Sequence, residues 1–81
     1  MTSSPNEDSM YRNYLSDLGI TLKEMALEAK QKARVSGTDF DIGYMAGFHR
    51  VLSLMQQQAE AFAIPLEEIS LADIDPDEDL V

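Results

Sequence analysis

Residues 39–64 put more apolar side chains on one helix than a single partner helix can cover, and this constrains the fold more than anything else in the chain. With Phe40 as origin and about 100° per residue, the apolar positions span roughly 200°. They are Phe40, Tyr44, Met45, Phe48, Val51, Leu52, Leu54, Met55, Ala59 and Phe62, with Gly43 and Gly47 among them. A one-sided surface helix needs a stripe of only about 100°. The pattern therefore predicts a helix about 39 Å long with two apolar flanks. One flank serves a neighbour in the same chain and the other serves a second subunit.

That neighbour is the preceding segment. Tyr11, Leu15, Leu18, Leu22, Met25, Ala26, Ala29 and Ala33 recur at helical spacing, which predicts a helix over residues 9–35. The stripe keeps its phase across Gly19, favouring a continuous or gently kinked helix, although Gly costs about 1 kcal/mol inside one. The alternative is a break at Gly19 and a restart at Thr21, which forms a capping box with Glu24. Lys30, Lys32 and Arg34 crowd the end of the segment, where the helix dipole favours cations.

Ser36-Gly37-Thr38 supplies the stop. Gly37 suits a left-handed cap, and Thr38 or Asp39 caps the next helix. So short a connection makes the two helices antiparallel neighbours. In that arrangement Ala29 and Ala33 are expected to face Phe40 and Tyr44, small against large. Pro65 ends the second helix, and Leu66-Glu67-Glu68-Ile69 suits a short helical turn behind it. Leu66, Ile69, Leu71 and Ile74 would anchor the tail.

The expected fold is thus all-α: an antiparallel helical hairpin of two long helices plus a short C-terminal helical turn, dimerising into a four-helix bundle. Residues 1–8 read as a flexible leader, 9–74 as the hairpin domain with its packed tail, and 75–81 as an acidic end. Dimerisation also answers a size problem, because a core built from about 80 residues is marginal alone. With no cysteine and one histidine, disulfides and a structural zinc are poor substitutes. No cofactor and no metal are expected.

The net charge is −9, of which residues 65–81 carry −7 and residues 21–35 carry +2. Binding to phosphate backbones or to anionic membranes needs clustered Lys and Arg, so direct nucleic-acid and membrane partners are disfavoured. No apolar run is long enough to span a membrane, and residues 1–8 lack a signal peptide's basic start and apolar core. A cytoplasmic protein is expected.

Catalytic and ligand signatures are weak. His49 lies on the polar side with Ser53, Gln56 and Glu60, and reads as a solvent-exposed surface residue. In the acidic end, Glu78 stands where a calcium-binding EF-hand loop requires Gly. No enzyme and no small-molecule substrate are expected.

The leading expectation is a small non-enzymatic adaptor acting as a homodimer. Its interface would comprise Tyr44, Gly47, Phe48, Val51, Leu52, Met55, Gln58 and Phe62. Gln58 would fix register there or simply meet water. Gly43 and Gly47 would allow either a close crossing between subunits or close packing inside the hairpin against Ala29 or Ala33. The first alternative is an acidic inhibitor, of the immunity type or encoded by a mobile element, that mimics nucleic acid. It would meet a basic partner through Glu67, Glu68, Asp73, Asp75, Asp77 and Asp79. The second is a helical-hairpin co-chaperone whose apolar face a different subunit covers. The tail itself would fold back on Lys30, Lys32 and Arg34, present a negative strip, or only aid solubility.

Overall fold

The structure, a computed structural model, describes residues 5–81. Helix α1 spans Pro5–Ser36 and α2 spans Asp39–Ala61; a 3-10 turn at Leu66–Ile69 and the short helix α3 at Pro76–Asp79 follow. Among the described residues there is no strand. The all-α hairpin with a short helical turn behind it is therefore the observed architecture. Residues 1–4 of the expected leader lie outside the described residues. The helix starts at Pro5 rather than near residue 9, where a proline costs no hydrogen bond.

α1 runs unbroken through Gly19. It ends on Gly37, which has φ +62° and donates its N–H to Ala33 O at 2.8 Å. Thr38 caps α2, its hydroxyl accepting from the Asp41 N–H at 3.2 Å. α2 stops at Ala61, three residues short of the expected end. Ala63 adopts the left-handed conformation, and the Ala63 and Ile64 N–H groups return to Glu60 O and Ala59 O. That closure satisfies the last carbonyls and turns the chain before Pro65.

The core is where the tail matters. Of the seven buried apolar residues that form it, three lie on the long helices (Ala26, Leu52, Ala59) and four on the tail (Ile69, Leu71, Ile74, Leu80). Leu22, Phe48, Met55 and Leu66 close around them, half-buried. Residues 66–80 thus form a third layer along one side of the hairpin. Gly19 lets them in. A Cβ there would overlap Ile69 O, so its role is close approach of another backbone and not a kink.

Several expectations about packing need correction. Phe40 is 79% exposed and does not cover Ala29 or Ala33, which are buried without it. The rings of Phe40 and Tyr44 instead stack on each other along the surface, with centroids 6.4 Å apart. The tail does not fold back on Lys30, Lys32 and Arg34. Its carboxylates meet Arg12 (to Glu68, 3.2 Å) and Lys23 (to Asp73, 2.8 Å), nearer the open end of the hairpin.

Candidate functional site

The tail chooses the polar side of α2. Gln56 Nε2 donates to Leu71 O at 3.1 Å and to Ile74 O at 2.8 Å, pinning two carbonyls of an irregular segment that has no ladder of its own. His49 is not a free surface residue either: its Nε2 lies 2.9 Å from Asp77 Oδ1 and its side chain is 29% exposed. On α1, Lys23 reaches Ser70 O and both Asp73 oxygens, and the Ser16 and Ser70 hydroxyls lie 2.7 Å apart.

The opposite flank of α2 stays open. Phe40, Tyr44, Val51, Leu54 and Phe62 are 43–79% exposed, and Gln58 lies among them in contact with solvent. Two apolar grooves follow the seam between the helices on this face. One, of about 380 Å³, is lined by Leu22, Gly43, Tyr44, Gly47, Phe48 and Val51. The other, of about 180 Å³, runs past Leu15, Met55, Gln58, Phe62 and Ile64. A Cβ on Gly43 or Gly47 would meet no atom within 4 Å, so close packing inside the hairpin is not what these glycines serve.

The sequence-derived interface set is therefore largely brought together. Tyr44, Gly47, Val51, Gln58 and Phe62 lie on the open strip, with Phe48 and Met55 half-buried at its inner edge. Leu52 is fully enclosed within the chain and belongs to the core. The α1 contribution went unread in the sequence: Leu15 and Met25 remain 38% and 40% exposed, and Leu22 lines the larger groove. Their stripe, about 100° wide, matches a single partner helix by periodicity, and only the helix crossing shows the overhang.

The acidic set has a different fate. Glu68 pairs with Arg12, Asp73 with Lys23 and Asp77 with His49. Asp75 accepts from the Asp77 N–H, and Asp79 accepts from the Asp75 N–H. Of the six, Glu67 alone has no side-chain hydrogen bond or ion pair among the described residues. A cleft of about 440 Å³ lies between α2 and the tail, lined by Ser53, Gln57, Glu60, Pro65, Asp75 and Asp77 among others. Among the described residues no group of three His, Cys, Asp or Glu is placed to hold a metal ion. No helix there is long and apolar enough to cross a membrane.

The hydrogen bond from the Lys23 ammonium, helped by its charge, holds the Asp73 carboxyl below its ordinary value of 3.8. Folding lowers this pKa, so the pair adds stability above about pH 3.8 and loses it as pH falls through the folded value. The melting temperature of Asp73→Asn should therefore fall below the parent's at pH 7 and meet it at the acid extreme. A gap that persists unchanged at pH 2 would contradict the assignment.

Compared with protein-family models, with curated proteins and with solved structures, the chain matches none.

Proposed function

We propose that this chain is a small non-enzymatic interaction protein that works as a homodimer, its two open faces closing into a four-helix bundle. The observation that carries the reading is the continuous apolar flank of α2, left bare after α1 and the tail have both packed. Monomeric proteins rarely leave so extended an apolar strip in water.

Its size fits a stable pairing. α2 has 23 residues and the molecule is 20 Å wide. A face about 34 Å long and at most that wide gives up to roughly 700 Å² per copy, or up to roughly 1,400 Å² in total, which reaches the range of specific interfaces. The acidic-inhibitor reading draws less support, because five of its six carboxylates already serve contacts within the chain.

Sedimentation at micromolar concentration tests the proposal. The parent chain should sediment at twice the 9.0 kDa of one copy. Val51→Lys places a charge on the strip at a 43% exposed position, and should return the protein to one copy with its helical circular dichroism intact. A parent that stays monomeric at tens of micromolar would defeat the homodimer, and the co-chaperone reading, with an unlike subunit on the same face, would replace it.

A further inference from the structure

The open strip has an internal symmetry. Phe40, Tyr44, Gly47, Val51, Met55, Gln58 and Phe62 follow one another at steps of 4, 3, 4, 4, 3 and 4, a sequence that reads the same in both directions about Val51. At about 100° per residue all seven fall within roughly 80° of arc. Their 22-residue span covers six turns at about 3.67 residues each, so the strip lacks the left-handed drift of a heptad seam.

From this symmetry we propose that two copies of the chain pair antiparallel across this face, with the two-fold axis passing beside Val51. The inference rests on the homodimer proposed above and specifies its geometry. Residues equidistant from Val51 then come level across the interface. Gly47 receives Met55 of the other copy, so the position with no side chain meets a long flexible one. Tyr44 comes level with Gln58, giving the one side-chain amide of the strip a hydroxyl partner and removing the cost of burying it alone. Phe40 meets Phe62, the two most exposed aromatic rings of the strip.

A parallel pairing does worse on every count. It sets Gly47 on Gly47 and leaves a gap, and it sets Gln58 on Gln58. The small residue at 47 gains a purpose as well. It costs about 1 kcal/mol of helix propensity relative to Ala, and nothing inside the chain occupies the space it leaves.

The chain contains no cysteine, so single thiols report on the pairing without interference. Phe40→Cys, Val51→Cys and Phe62→Cys are prepared separately, shown by sedimentation to remain dimeric, and treated with a short thiol-to-thiol cross-linker. The expected result is that Val51→Cys cross-links to itself. Phe40→Cys and Phe62→Cys should stay single when alone and link when mixed. Self-linking of Phe40→Cys and of Phe62→Cys would overturn the antiparallel arrangement while leaving pairing through this face intact. No linking at any position in a protein that still sediments as a dimer would overturn both, because another surface would then hold the copies. Gly47→Leu adds a second readout: it should weaken the dimer about tenfold or more by overfilling the site that takes Met55, with the helix content of each copy unchanged. Unaltered self-association of Gly47→Leu would overturn the assigned register.

Discussion

Gly19→Ala lowers the stability of the chain by a net of about 1–2 kcal/mol, against the direction that helix propensity predicts. In the middle of a helix, exchanging Gly for Ala ordinarily gains about 1 kcal/mol. Here the new methyl would occupy the place of Ile69 O. That atom belongs to backbone, and the backbone is held on both sides. Ile69 is buried, Ser70 is in the left-handed conformation with its hydroxyl 2.7 Å from that of Ser16, and Leu71 is fully enclosed. The 3-10 turn must move away as a unit, and an overfilled core of this kind typically costs about 1–3 kcal/mol, occasionally more. Gly43→Ala is the internal control, since its methyl enters open space. It should raise monomer stability by about 1 kcal/mol. Urea titration of the two variants decides the matter: opposite shifts of the midpoint are expected, and a stabilised Gly19→Ala would mean that the turn does not sit against α1.

Leu71→Ala produces the second large effect, a loss of about 3 kcal/mol. Leu71 lies in a segment that looks, by composition, like an acidic tail, yet none of its surface reaches solvent. Removing its branched end leaves a cavity between α1, α2 and the tail that neighbours can only partly fill. In a domain this small the loss lowers the melting temperature by about 12 °C or more. Circular dichroism melts of Leu71→Ala beside Ala72→Ser, an exposed neighbour, give the comparison. If both melt within a degree or two of the parent, residues 66–80 do not belong to the core.

These two results probe the part of the molecule that was hardest to read. The long helices were legible because their signals are local. Capping at Thr38, the stop at Gly37 and the apolar phase carried across Gly19 each depend on residues a few positions apart. The tail was legible only as a set of apolar anchors. That it supplies four of the seven core residues depends on contacts spanning about fifty positions, such as Ser16 with Ser70 and Lys23 with Asp73. Gly19 shows the limit well. Its type fits a tolerated glycine, a kink or a close approach equally, and the carbonyl that decides among them lies fifty residues away.

The same distinction applies to the candidate interface. The width of the apolar face on α2 follows from side-chain type and a fixed angular step, so the sequence alone determined that two flanks exist. Periodicity measures how much apolar surface there is and is silent about what covers it. The tail could have shielded the second flank, and it went instead to the side bearing His49 and Gln56. The physical reason is that an irregular segment must find donors for its carbonyls as well as burial for its side chains. Gln56 offers two such bonds, and the absent side chain of Gly19 offers the space. Only the tertiary structure brings donor, gap and anchors to one side, and by doing so it leaves Phe40, Tyr44, Val51 and Phe62 facing outward.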